Sequence, residues 1–297
     1  MLAPSMPVPP PPPSSSVVAT LRAAGCVFAE DEARLLLAAA ARPADLAAMV
    51  DRRVSGVPLE QILGWAEFCG LRIALDPGVF VPRRRTELLV HQAALVARRR
   101  DRRAAAGAAG RVSGHPPVVV VDLCCGSGAV GAALLALLTR VELHAADLDP
   151  AAVRCARRNI VAAAGQVYEG DLYEPLPAAL RGRIDVLVAN APYVPTDAIR
   201  LMPHEARLHE ARVALDGGAD GLDVQRRVIA GASQWLAPHG YLLVETSARQ
   251  APLTAEAFAR HRLSPRVATS DRLGATVVLG TRSARLNRPS ADRSRTR

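Results

Sequence analysis

The chain is expected to fold as an α/β protein, with a mostly parallel sheet covered by helices on both faces behind a small all-helical region. Three observations predict this. In the second half, short runs (Val118-Val119-Val120-Val121, then Glu142 to Ala146, Ile184 to Ala189, Tyr241 to Glu245 and Thr276 to Leu279) alternate with helical patterns, as in strands joined by crossover helices. From Val17 to about Leu63, Leu21, Phe28, Leu35, Leu36, Leu46, Met49 and Val50 follow the helical period, with breaks at Gly25 and Pro43. Between these regions, Glu67 to Leu75 alternates, meets Asp76-Pro77-Gly78 and continues as Val79-Phe80-Val81. Turn residues between two apolar stretches read as a hairpin.

Taken in order, residues 1–16 are rich in Pro and Ser and are expected to be disordered. Residues 17–64 form the helical region and 65–82 a hairpin connector. A helix is predicted from Thr86 to Arg100, and the Arg- and Gly/Ala-rich stretch from Arg98 to Pro117 reads as a solvated linker. The α/β domain occupies 83–282. The polar, Arg-rich segment 283–297 is a second disordered tail.

At 297 residues there is room for one large domain and a small companion. Hydrophobic residues make up 50% and aromatics only 3%, so the core must be built from Ala, Leu and Val. The net charge of +9 comes entirely from Arg, with no Lys. Such a charge suits an acidic partner such as RNA or a ribosome. A GC-rich coding bias towards Ala and Arg accounts for it better, so direct nucleic-acid binding is not favoured. The five cysteines lack metal-ligand spacing, so no metal site is expected and free thiols in a reducing cytoplasm are. The Pro9–Pro13 run is no signal peptide, and no apolar run approaches the roughly 20 residues of a membrane span.

In open α/β sheets, ligands bind beyond the carboxyl ends of the strands. Asp122-Leu123-Cys124-Cys125-Gly126-Ser127-Gly128 falls at such an end, where small residues let backbone approach a ligand. Asp147 ends the next strand and can accept both hydroxyls of a ribose. Asp171, followed by Leu172, stands where an adenine edge would lie. The loop lacks the full G-x-G-x-x-G of a dinucleotide fold, and the three acidic positions together favour S-adenosylmethionine. Cys124 and Cys125 are adjacent rather than C-x-x-C, and read as small loop filler.

Asn190-Ala191-Pro192-Tyr193 follows the strand Ile184 to Ala189. An amide or exocyclic amine has its lone pair delocalised and attacks a methyl sulfonium poorly. The Asn190 side-chain oxygen and the Ala191 carbonyl can each accept one N–H from such a group and hold its nitrogen in line. Pro192 stiffens the turn, and Tyr193 can lie against the planar acceptor. Asn190 and Tyr193 are thus the candidate catalytic residues.

With these motifs the chain resembles the HemK/PrmC family, protein glutamine N5-methyltransferases that modify peptide chain release factors. The similarity covers about residues 20 to 282 and includes Gly78-Val79-Phe80-Val81-Pro82-Arg83 with Thr86-Glu87, and Ala214 to Leu222. It implies a Rossmann-like, seven-stranded class I methyltransferase domain behind a helical substrate-recognition domain. It also implies a monomeric cytoplasmic enzyme whose Asn190 and Tyr193 grip a glutamine side chain. Three departures stand out: Ala191 replaces a proline, Cys124 a glycine, and Arg84-Arg85 a Pro-Asp pair. The last exchanges a carboxylate for cations near the acceptor entrance and opens the acceptor to another translation protein, such as a ribosomal protein. Two rival readings remain at this point: a nucleic-acid adenine N6-methyltransferase, and a non-catalytic S-adenosylmethionine-binding partner of translation.

Overall fold

The computed structural model describes residues 14–107 and 115–282. The expected disorder of residues 1–13 and 283–297, and the middle of the expected linker, lie outside the described residues. Ser14–Ser16 already belong to the first helix.

Four helices open the fold: α1 (Ser14–Ala23), α2 (Ala29–Ala39), α3 (Pro43–Val54) and α4 (Leu59–Leu63). Val17, Leu21, Ala33, Leu36, Leu46, Val50 and Ile62 close a core of their own. Pro43 starts α3, where a missing N–H costs nothing.

The hairpin turns earlier than expected. Its strands are β1 (Trp65–Phe68) and β2 (Leu71–Ala74), with Phe68 paired to Leu71. The two-residue turn is Cys69-Gly70, both at positive φ (51° and 75°), as a tight hairpin with the sheet's own twist requires. Asp76-Pro77-Gly78 instead ends the hairpin. It sends Val79–Val81 on without strand pairing, to pack Val79 and Val81 beside Leu75 on Ala152 and Cys155.

A second correction concerns the linker. Helix α5 (Glu87–Gly107) runs through Arg98–Arg103, because Ala and Arg are good helix formers and nothing breaks the run before Gly107. Arg98 donates to the Leu137 carbonyl at 3.0 Å, and Arg100 Nε to Asp185 at 3.0 Å.

The remaining elements are β3 (Val118–Leu123), α6 (Ala129–Leu137), β4 (Val141–Asp147), α7 (Pro150–Ile160), β5 (Gln166–Glu169), β6 (Ile184–Ala189), α8 (His204–His209), α9 (Asp223–Trp235), β7 (Leu236–Thr246), α10 (Ala251–Arg260), β8 (Leu263–Ser270) and β9 (Ala275–Arg282). Strands β3 to β9 form one seven-stranded sheet in the order β5-β4-β3-β6-β7-β9-β8. Its β5-to-β7 part is parallel; β9 runs antiparallel to β7 and β8. Alternate residues of β3 enter opposite cores. Val118 and Val120 pack with α5 and α6, while Val119 and Val121 pack with α9 and α10. The two strands without an apolar signature in the sequence, β5 and β8, are the two edges, where most side chains face solvent. The order reverses at β3, so loops after β3 and β6 diverge and leave a cleft at their carboxyl ends.

Candidate active site

The cleft measures about 1340 Å³ with its open mouth. Of the residues expected at the site, Asp122, Cys124, Cys125, Gly126, Ser127, Asp147, Asp171, Leu172, Asn190, Ala191, Pro192 and Tyr193 all line it. Gly128 does not. It sits behind the loop at the start of α6, where a Cβ would come 2.7 Å from Ile160 Cδ1 and 3.1 Å from Ala156, so its role is close packing against α7.

The half of the cleft beyond β3, β4 and β5 is acidic. Asp122 Oδ2 accepts the Gly131 N–H at 3.1 Å. Burial pushes its pKa up to about 7, against the pull of that N–H and with a push from Asp147. Asp147 accepts one backbone N–H on each oxygen, from Gly126 at 2.8 Å and Asp149 at 2.9 Å. That fixes the carboxylate and leaves further lone pairs for ligand hydroxyls. Its pKa is raised as well, mainly by burial. Burial also drives the Cys124 and Cys125 thiols well above their usual range, which fits inert loop filler. Cys124 holds φ +56°, a conformation costing roughly 1–2 kcal/mol outside glycine.

Two residues here escaped the sequence reading. Arg227 of α9 lines the cleft and donates to Asp171 Oδ2 at 2.6 Å. Asn159 of α7 donates to the Ser127 carbonyl at 2.8 Å while pairing both backbone groups of Ala74 at 2.9 Å, which ties the cofactor-side loop to the hairpin.

Beyond β6 and β7 lies the second half. Asn190 Nδ2 donates to Thr86 Oγ1 at 3.3 Å, which turns its Oδ1 the other way. Tyr193 O–H donates to Glu245 Oε1 at 3.2 Å, and Arg85 Nε lies 3.4 Å from the same oxygen. Burial raises the Glu245 carboxyl, opposed by Thr86, Arg85 and Tyr193. Burial likewise raises the Tyr193 phenol, which stays protonated. The turn after Asn190 is braced by the segment Ala214–Leu222. Val194 N–H donates to Leu215 O at 3.0 Å, and Gln250 Nε2 donates to Tyr193 O at 3.0 Å. Gly221 (φ +79°) is required there, since a Cβ would stand 2.3 Å from Tyr193 O. Glu245 had a signal that went unused: it ends a strand, as Asp122, Asp147 and Asn190 do at or near theirs. Thr86 stands in the Gly78–Glu87 segment that carries the family resemblance, but nothing in the sequence gives it a role of its own.

The helical region reaches this half through polar contacts. Arg53 is held by Glu32 at 2.6 Å and by Glu205 of α8 at 2.6 Å. Gln61 donates to Val79 O at 3.2 Å and His209 O at 3.0 Å. Glu210 accepts the Val81 N–H at 3.1 Å and Arg83 at 2.5 Å.

A doubly covered sheet of this order, with acidic strand ends on one side of the cleft and an Asn-x-Pro-Tyr turn on the other, defines a class I methyltransferase. The residues fit S-adenosylmethionine, whose net positive charge would face Asp122 and Asp147, neither of which pairs with an arginine among the described residues; Asp171 alone of the three is paired, with Arg227. Residues 113–220 match the methyltransferase small domain family. The release factor glutamine methyltransferase of Geobacter sulfurreducens is 36% identical over 245 residues, 81% of this chain and 79% of that protein. That of Mycolicibacterium smegmatis is 35% identical over 261 residues, 82% and 86%. A 4-amino-L-phenylalanine/4-methylamino-L-phenylalanine methyltransferase of Streptomyces pristinaespiralis is 34% identical over 206 residues, 68% and 65%. The chain belongs to the release factor glutamine methyltransferase family, and it is an S-adenosylmethionine-dependent enzyme.

Proposed function

We propose that the chain transfers a methyl group to the side-chain amide nitrogen of a glutamine in a peptide chain release factor. Sustained identity with release factor glutamine methyltransferases over about four-fifths of the chain supports this most directly. S-adenosylmethionine supplies an electrophilic methyl on a sulfonium. Asp147 would hold its ribose, Asp171 and Leu172 its adenine, and Asp122 with the 124–127 loop its amino-acid end.

The chain's own residues then orient the acceptor. Asn190 Oδ1 and the Ala191 carbonyl accept the two amide N–H bonds, Pro192 limits movement of the turn and Tyr193 excludes water. A nitrogen held in this way would be placed to accept the methyl as its bond to sulfur is given up, and the methylated amide would lose one proton to water. Orientation of this kind lowers barriers by up to about 7–11 kcal/mol, and no dedicated base is needed because the methylated nitrogen gives up its proton readily.

No helix among the described residues is long and apolar enough to cross a membrane. All five cysteines are free, which suits the cytoplasm, where release factors act, and we expect a monomer. Arg83 and Arg85 at the mouth are each tied to a buried carboxylate, which counts against the adenine reading with its need for phosphate contacts. Tritiated S-adenosylmethionine should label a release factor carrying Gly-Gly-Gln, and Gln→Ala in that motif should remove the label. Labelling that persists in the mutant would sink the proposal. A free arylamine such as 4-aminophenylalanine, suggested by the Streptomyces pristinaespiralis relative, is the control acceptor.

A further inference from the structure

We infer that Glu245 and Thr86 form a polarity relay that decides which way round the Asn190 amide sits, making both positioning residues for methyl transfer. The inference rests on the acceptor role of Asn190 proposed above. An asparagine amide has an accepting end and a donating end of nearly the same shape. Only the accepting end can hold an N–H of the substrate, so an amide flipped by 180° would present the wrong pole. Something must therefore fix the choice.

The fixing group is a carboxylate, which when ionised can only accept. Glu245 is 1% exposed at the end of β7, and its Oε2 has no hydrogen-bond partner within normal distance. Oε1 receives the Tyr193 hydroxyl and faces Arg85. Beside it lies Thr86, 3% exposed, whose oxygen already accepts Asn190 Nδ2. A hydroxyl has one proton, and in the proposed relay Thr86 directs it at that carboxylate, whose Oε2 has no other partner. The Thr86 oxygen is then left as an acceptor, so Asn190 must turn its NH2 towards Thr86 and its Oδ1 away from it. Arg85 opposes the upward push that burial gives the Glu245 carboxyl and so favours its ionised, accepting form, which gives the cation a role inside the protein rather than towards the acceptor.

Three variants and one spectrum test the relay. Thr86→Val keeps the shape and removes the hydroxyl; kcat should fall about 100-fold, with the Kd for S-adenosylmethionine and the KM for the acceptor within about threefold of wild type. Thr86→Ser should restore the rate to within about fivefold. Glu245→Gln, which can donate as well as accept, should be slow to a similar degree, and the Thr86→Val/Glu245→Gln double variant no slower than either. Should Thr86→Val fail to fold, as judged by thermal melting, Glu245→Gln carries the test alone. Independently of any acceptor, the Asn190 side-chain NH2 protons in the cofactor-bound protein, assigned by their loss in Asn190→Ala, should exchange more slowly in wild type than in Thr86→Val or Glu245→Gln. Wild-type kcat in Thr86→Val, equal slowness in Thr86→Ser, additive losses, or unchanged amide exchange would overturn the relay. A wild-type enzyme that leaves the release factor unlabelled counts instead against the acceptor assignment, and the exchange measurement still decides the relay.

Discussion

The two halves of the cleft carry their buried charge in opposite ways. On the side of β3 and β4, Asp122 is buried and Asp147 half-buried with only backbone N–H groups as hydrogen-bond partners, and both pKa values rise. On the side of β6 and β7, burial pushes the Glu245 and Glu210 carboxyls up as well, but each has an arginine, Arg85 and Arg83, that opposes the rise. Uncompensated carboxylates in a low-dielectric cleft are a standing attraction for a cation. Compensated ones leave a half with little net field, suited to holding a neutral, planar group by directed hydrogen bonds. The first half thus suits a positively charged cofactor and the second an amide, as the proposed function requires.

The sharpest way to break this contrast is to remove the directed acceptor. Asn190→Ala should lower kcat by about 10²–10³, the usual loss when one preorganised hydrogen-bonding group leaves a reacting centre. S-adenosylmethionine affinity should stay within a few-fold, measured by calorimetry. A variant that loses cofactor binding in step with turnover would place Asn190 on the other side of the comparison. Asp147→Asn tests that other side. A charged acceptor is worth roughly 1.5–3 kcal/mol per hydrogen bond, so cofactor affinity should weaken about 100-fold while kcat at saturating cofactor changes far less.

The same division governs how much could be read from the sequence. Strand ends that carry a lone acidic or amide residue, such as Asp147 and Asn190, announce themselves because a polar group directly follows an apolar run. The fold class was legible for a similar reason, since β3, β4, β6, β7 and β9 are buried and apolar. Edge strands β5 and β8 face water and carry no such run. The Cys69-Gly70 turn was hidden by the stronger-looking Pro77-Gly78, and the helical course of Arg98–Arg103 by its charge. Least legible were the compensating partners. That Arg85 meets Glu245, or Arg227 meets Asp171, depends on residues 160 and 56 positions apart coming together, which no local pattern encodes.

Compensation on the acceptor side yields a smaller effect than the direct contacts do. Arg85→Met leaves Glu245 buried with less counter-charge, but Arg85 is 46% exposed along its side chain, so water offsets part of the loss. We expect kcat to fall about tenfold with cofactor affinity unchanged. A larger loss in cofactor affinity than in kcat would show that the arginine serves the wrong half.

The smallest effect expected is one of pH, and it belongs to Asp122. Its folded pKa of about 7 lies above the ordinary 3.8, so between these values the folded state binds a proton that the unfolded chain does not. The stability tied to the neutral carboxyl is fully present below about pH 4 and is lost as pH rises towards 7. Unliganded wild type should therefore lose melting temperature relative to Asp122→Asn between pH 5 and pH 8. A cationic cofactor favours the ionised carboxylate. Binding near pH 6 should release part of a proton from Asp122, and binding above pH 8 essentially none. Calorimetry in buffers of different ionisation enthalpy reads this release directly, and Asp122→Asn should diminish it. Proton uptake on binding at pH 6 would mean that the cofactor half does not meet its ligand as an acidic cleft meets a cation.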